Sequence, residues 1–331
     1  MKAMVMDTFN GPLALKTLPV PAVGQGDVLV RVRACGACGS DLKITSGKIR
    51  TTPTPHVPGH EIAGEIVAVG EGVNPSRVGE RVALHIYHSC SSCRWCRMGS
   101  YNLCTALKGR LGFELPGGFA HFTVVPARNA VTLPDALAFE EAALIPCGLL
   151  AVYHAIGKAS IDEGDRVVML GVGGLGIHGV QFLKLQGSHI TAVDVREAKL
   201  VLAQSYGADR CLTYREFAER DEKYDVVFDN VGDMRVTAQT LAKLDKAGRY
   251  VMVAYTPGTP SCFSSEQMHL DEIRIIGTRN GTLGEMSEVA ELLSSRRVKA
   301  VIDRVLPLEE ANDALQLVKT GATAGRVVLR I

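Results

Sequence analysis

One stretch of the chain limits the fold more than any other. Residues 165–176 read DRVVMLGVGGLG. An apolar, β-branched run from Val167 to Leu170 leads into Gly171, Gly173, Gly174, Leu175 and Gly176. Ile177, Val180 and Leu183 then recur at three-residue steps, which reads as a helix. A strand that enters a helix through a glycine turn presents backbone N–H groups at the helix N-terminus, and a pyrophosphate sits there. The next strand, HITAVD, ends in Asp194, eighteen residues past Gly176. Such a carboxylate accepts hydrogen bonds from a ribose 2′- and 3′-hydroxyl and repels a 2′-phosphate, so NAD is expected in preference to NADP. Arg196, two residues on, keeps NADP open, because a guanidinium suits a phosphate. REAKLVLAQSYGAD, YDVVFDNVG, GRYVMVAY and IRIIGT continue the alternation of helix and strand. The expectation is an α/β, doubly wound parallel sheet of the Rossmann type, with IRIIGT at an edge.

The first half reads differently. DVLVRVRA alternates apolar and polar residues as a half-buried strand does, and EIAGEIVAVG and GERVAL continue in that style between glycines and prolines. An antiparallel, partly barrel-like β domain is expected. The C-terminal LPLEEANDALQLVKTGATAGRVVLRI offers a helix and a last strand that return to it. The expected domains are 1–148, 149–279 for the nucleotide-binding part, and 280–331 rejoining the first.

Inside the β domain lies CSSCRWCRMGSYNLC, residues 90–104. Cys90, Cys93, Cys96 and Cys104 can supply four thiolates to one zinc, and a site with all four positions filled by protein is structural. Trp95 and Met98 in the same loop are expected to pack. The formal charge of +1 lacks the basic footprint of a nucleic-acid or membrane-surface protein. No apolar run reads as long enough for a membrane helix, and the N-terminus has no signal-peptide core. A cytoplasmic location follows as an expectation, where clustered cysteines bind metal more often than they pair. A zinc-ribbon nucleic-acid module would explain the four cysteines alone and leave the glycine loop unexplained.

A β domain with a four-cysteine lobe, followed by a nucleotide-binding domain, resembles the zinc-dependent medium-chain alcohol dehydrogenases over nearly the whole chain. CGACGSDL at 35–42, PGHEIAGEIVAVG at 58–70 and EEAALIPCGLLAVY at 140–153 carry the resemblance, together with the lobe and the glycine loop. It implies a GroES-like catalytic domain and two zincs per subunit. It further implies NAD-dependent interconversion of an alcohol with an aldehyde or ketone, by hydride transfer from a zinc-bound alkoxide. The catalytic zinc would be held by Cys38, His60 and Cys147, whose two thiolates and imidazole leave a fourth position open. Cys35 is a rival to Cys38. Glu61 would lie near the zinc. Asp41 would accept a hydrogen bond from His60, or serve only as a helix cap. Ser40 would relay the alcohol proton. Lys43 stands where many relatives have a histidine in that relay, and it would hold the ribose or lie on the surface. Gly39 stands where some relatives place a cation, which leaves Arg326 to face the pyrophosphate alone, or to be an ordinary surface residue. His85, Ile86, Tyr87 and Phe113 would shape the substrate pocket. A simple aliphatic or aromatic alcohol is the leading substrate, with a polyol, amino alcohol or other secondary alcohol as the alternative. An enoyl reductase of the same superfamily fits less well, since that branch generally lacks these zinc ligands. By the same resemblance the protein is a homodimer or homotetramer.

Overall fold

The structure is a computed structural model that describes residues 1–331. It divides into two compact units. One comprises Met1–Leu150 with Gly281–Ile331, and the other Ala151–Asn280.

The second unit is built on a six-stranded sheet. Its spatial order is Arg210–Thr213, His189–Asp194, Arg166–Leu170, Tyr224–Asp229, Leu244–Met252 and Arg274–Gly277, and every neighbouring pair is parallel. Parallel strands covered on both faces bury their central residues, which is why Val167–Leu170 and Val226–Phe228 are continuous apolar runs and Thr191 is the one polar residue within Ile190–Val193. Their core gathers Val168, Val193, Val227, Phe217 and Tyr250. The 274–277 strand lies at the edge, as expected, and carries half-buried Ile275 and Ile276. The strand order reverses between the 166–170 strand and the 224–229 strand, and such a switch point is where ligands bind.

The first unit holds a seven-stranded sheet around the long strand Asp27–Ala37. That strand pairs antiparallel with Glu61–Val69, Phe122–Pro126 and Arg326–Arg330. Here one face meets solvent: Val28, Val30 and Val32 are buried while Arg31 and Arg33 are exposed. Ile302–Pro307 adds a strand that the sequence reading lacked, parallel to Arg326–Arg330. The terminal helix Ala311–Thr320 packs on the Arg326–Arg330 strand. Gly64 is fixed by a close approach, since a Cβ there would lie 2.1 Å from the Arg31 carbonyl oxygen of the neighbouring strand.

Two expectations need correction. The helical run Phe139–Ala159 is long and apolar enough to cross a membrane, contrary to the reading of the sequence. Its most apolar window is 72 % buried inside the protein, so it is a core helix interrupted by a π-turn at Ile145–Leu149. In the cysteine lobe Met98 is 61 % exposed rather than packed. Trp95 is half-buried beneath the Arg94 guanidinium, 5.3 Å from its ring.

Candidate active site

The local geometry starts where the Asp27–Ala37 strand ends. Cys38 is the N-cap of the helix Gly39–Thr45, and Asp41 closes a capping box by accepting from the Cys38 N–H at 2.9 Å. The same carboxylate accepts from the Gly59 N–H at 3.3 Å and lies 3.1 Å from His60 Nδ1. The two readings of Asp41, helix cap and histidine partner, are therefore both met by one fully buried side chain. With Nδ1 tied to a carboxylate, the imidazole has its Nε2 turned inward, and Nε2 is buried with no hydrogen-bond partner.

Cys38, His60, Glu61 and Cys147 each bring one ligand atom, all within 4.8 Å of one another. Cys147 arrives on the π-turn, a local irregularity common at functional sites. Cys35 is not in this group. It is fully buried one strand residue before Gly36, and burial pushes its thiol well up. The neighbouring Cys147 sulfur pulls the Cys38 thiol well down, and the Cys38 sulfur together with burial pushes the Cys147 thiol well up. Burial opposes a proton on His60, but the Asp41 carboxylate and the Cys38 sulfur together more than offset it and raise the imidazole. Burial pushes the Glu61 carboxyl up to about 8 against the pull of Arg326.

Arg326 is not a surface residue. It is buried, with Nη2 2.9 Å from Glu61 Oε1, an ion-pair distance that lacks hydrogen-bond angles. Gly36 and Gly148 make room for this pair: a Cβ at the first would lie 2.2 Å from Glu61 Oε2, and at the second 2.9 Å from Arg326 Nε. Nothing in the sequence pattern announced that packing. Ser40 occupies the first turn of the Gly39–Thr45 helix and is half-buried, as is Lys43, whose ammonium burial pulls down. Phe113 packs its ring 5.0 Å from that of His60 and beneath the Arg110 guanidinium. Ile86 and Tyr87 are buried. His85 is buried too, with Nε2 3.1 Å from the Gly281 carbonyl oxygen.

The donor set fits a zinc ion. An imidazole nitrogen without a partner and a carboxylate without hydrogen bonds are buried costs unless something binds them, and two thiol sulfurs lie within reach of the same point. The second cluster fits one as well. Cys90, Cys93, Cys96 and Cys104 bring their sulfurs within 4.8 Å of one another. Cys90–Cys96 and Cys93–Cys96 are 3.9 and 3.5 Å apart, against about 3.8 Å for the edge of a tetrahedron with zinc–sulfur bonds. Hydrogen bonds to the sulfur, the Cys96 N–H first, hold Cys93 down to about 5, a thiolate ready to bind metal.

In the second unit a cavity of about 430 Å³ opens at the switch point, lined by Gly171, Gly173, Gly174, Leu175, Gly176 and Asp194 among others. Gly171 has a φ of +80°, and a Cβ on Gly176 would lie 2.1 Å from the Gly171 carbonyl oxygen, so both glycines are fixed by the turn. Asp194 accepts from the Val172 N–H at 3.0 Å and the Arg196 N–H at 3.1 Å. The side chain of Arg196 does not line the cavity, whereas Lys199 does, five residues past Asp194. Lys199, Asn230, Val231 and Asp233 were missed by the sequence reading. A lysine in the first turn of a surface helix looks like any solvated lysine, and the turn at 230–233 has no motif of its own.

The comparisons with known proteins bear on both units. Residues 24–135 match the alcohol dehydrogenase GroES-like domain, and residues 206–329 match the zinc-binding dehydrogenase family. An NAD-dependent alcohol dehydrogenase of Sulfolobus acidocaldarius is 35 % identical over 345 residues, covering all of both chains. An alcohol dehydrogenase of Geobacillus stearothermophilus is 33 % identical over 343 residues, again covering all of both. The acetophenone reductase of Geotrichum candidum, solved in complex with NAD, superposes with a TM-score of 0.92 at 33 % identity, over 100 % of this chain and 97 % of that one. With zinc-fitting clusters in the first unit and a dinucleotide-type cavity in the second, the chain belongs to the zinc-dependent medium-chain dehydrogenase/reductase family.

Proposed function

We propose that the protein is an NAD- and zinc-dependent alcohol dehydrogenase that interconverts an alcohol with an aldehyde or ketone. The observation that carries this reading is the Cys38–His60–Cys147 set, buried but for half-buried Cys147, with His60 Nε2 unpartnered and Nδ1 locked by Asp41. Cys38, His60 and Cys147 would hold the catalytic zinc, with Glu61 beside them, and the four lobe cysteines would hold the structural one. When bound, the catalytic zinc supplies a Lewis acid that polarises the substrate oxygen and makes its proton easier to lose.

The chain's own residues do the rest. Asp41 fixes the tautomer and the angle of His60. The Ser40 hydroxyl takes the substrate proton at Oγ and passes its own onward, and Lys43, on the same helix, steadies the next acceptor. Arg326 sets its guanidinium against Glu61 and offsets the charge of that carboxylate. Phe113 gives an apolar wall beside His60, and His85, Ile86 and Tyr87 remain the further candidates for the pocket. This favours simple aliphatic or aromatic alcohols over polyols, which would need polar partners along the wall. Asp194 keeps its carboxylate at the cofactor cavity, held by two backbone N–H groups, and excludes a 2′-phosphate by charge.

The assembly we propose is a homodimer or homotetramer, a reading supported by the uncovered edge strand Arg274–Gly277. A cytoplasmic location is supported by nine cysteines that all carry free sulfurs.

The test is NADH formation over primary, secondary, aromatic and polyhydroxy alcohols, with NADP run in parallel. Turnover of monohydric alcohols with NAD is expected. Turnover with polyols alone would move the protein to the alternative branch, and silence across the panel with two zincs bound would remove the reading. Asp194→Ala should erode the preference for NAD by about tenfold or more. An unchanged preference would take Asp194 out of the argument.

A further inference from the structure

The cofactor cavity has two walls. One is the glycine turn at 171–176. The other is the turn that follows the Tyr224–Asp229 strand, where Asn230, Val231 and Asp233 face the cavity. The two walls touch: a Cβ on Gly171 would lie 2.9 Å from Val231 Cγ2, and one on Gly176 would lie 3.3 Å from Asn230 Nδ2. What fixes the second wall is not in the cavity at all.

Asp229 is the last residue of its strand and is buried, 1 % exposed. Its Oδ1 accepts from the Val231 N–H at 2.8 Å and from the Gly232 N–H at 2.9 Å, which bends the chain back on itself. Its carbonyl oxygen accepts from the Val253 and Ala254 N–H groups, both at 3.0 Å. Gly232 has a φ of +68°, and a Cβ there would lie 2.6 Å from the Tyr255 nitrogen, so the turn is pressed against the 253–255 segment. The second carboxylate oxygen, Oδ2, accepts from Tyr250 Oη at 2.8 Å. Tyr250 lies on the adjacent Leu244–Met252 strand, is fully buried, and is among the largest wholly enclosed side chains of the protein. Burial, together with the Asp229 charge, pushes its phenol above the ordinary tyrosine range, so it stays a donor at every working pH. A buried carboxylate that lost this donor would carry an unpaired lone pair next to the groups that shape the turn.

We infer that Tyr250 is a positioning residue for the dinucleotide: through Asp229 it holds the 230–232 turn against the glycine loop and so sets cofactor affinity. It touches no substrate and lines no cavity. The inference rests on reading this cavity as the NAD site.

The test uses the zinc-loaded, full-length enzyme. NADH binding is followed by fluorescence titration, and hydrogen exchange is read at the Val231 and Gly232 amides. In Tyr250→Phe the Kd for NADH should rise about tenfold and both amides should exchange faster. The value of kcat at saturating NAD, and the zinc content, should stay within about twofold of wild type. The double variant Asp229→Asn/Tyr250→Phe should bind NADH more tightly than Tyr250→Phe alone. An amide still accepts from the turn through its oxygen and does not leave a buried charge without a donor. A merely structural tyrosine would lower stability and kcat together and would not be rescued by the second change. An unchanged Kd in folded Tyr250→Phe, or no rescue in the double variant, overturns the inference. If Tyr250→Phe does not fold, the double variant is compared with Asp229→Asn alone: its Kd for NADH must be the higher of the two, and equal values overturn the inference. Faster amide exchange in Tyr250→Phe, alongside a wild-type protein that does not bind NADH at all, would instead discard the cofactor reading and leave the clamp standing.

Discussion

At the scale of single residues, the protein uses cysteine in two ways that the surroundings decide. Cys93 sits on a lobe where backbone N–H groups favour its thiolate, and Cys147 lies among buried groups with a hydrogen bond to Cys38. Their loss should be felt differently. Cys147→Ala is expected to lower turnover by at least about 100-fold with little change in melting temperature. Cys93→Ala should lower the melting temperature first and turnover only as the lobe loosens. Two folded, fully active variants would sink both assignments. His85 gives a pH signature. Burial, with only partial help from the Gly281 carbonyl, depresses its pKa from the usual 6.5 to about 4. The unfolded chain then binds more protons between those values, so stability falls as pH drops from about 6.5 toward 4. From pH 7 to pH 5 this costs about 2 kcal/mol. Chemical denaturation of His85→Gln at both pH values should show a loss smaller by that amount. An equal loss in both proteins would mean that His85 is not the group responsible.

At the scale of elements, legibility followed burial pattern. The parallel strands were plain because both of their faces are covered, so apolar runs such as Val167–Leu170 and Val226–Phe228 are unbroken. The antiparallel ones were plain because Arg31 and Arg33 alternate with Val28, Val30 and Val32. The strand Ile302–Pro307 escaped because IDRVLP has a charge pair near its start and a proline at its end, and its pairing is set by the distant Arg326–Arg330 strand. The π-turn at Ile145–Leu149 also escaped, since PCG inside an apolar helix gives no periodicity from which an extra residue per turn could be read. Glycines such as Gly64 are legible only once the neighbouring strand is known. Gly64→Ala should force the Glu61–Val69 strand away from the Asp27–Ala37 strand and cost about 3 kcal/mol. A shift in urea midpoint of under a third of that would mean that the strands part freely there. Because the same strand begins beside His60, zinc affinity at the catalytic set should weaken with it.

At the scale of the whole molecule, the two proposed metal sites differ in how the chain assembles them. Four lobe cysteines come from fifteen consecutive residues, whereas Cys38, His60 and Cys147 come from a helix N-cap, the start of a strand and a π-turn. Zinc analysis should find two ions per chain. Release to a colorimetric chelator should follow two phases of one equivalent each, and Cys147→Ala should delete only one. A single phase of one equivalent would reject the two-site design. Local sequence was enough to determine the lobe, the glycine turn, Asp194 and the strand periods, because each rests on spacing within one segment: a ligand pattern, a turn that needs glycine, or an alternation of burial. What only tertiary structure decided was everything held by partners far apart along the chain. Asp41 serves as both cap and histidine partner because Gly59 and His60 return to it. Arg326 is buried on Glu61 because Gly36 and Gly148 leave it room. Lys199 and the 230–233 turn join the cavity because the sheet brings strands together out of chain order. The physical reason is common to the first two: a buried charge or polar group is tolerated only where the fold supplies its partner, and the identity of that partner is not written in the neighbouring residues.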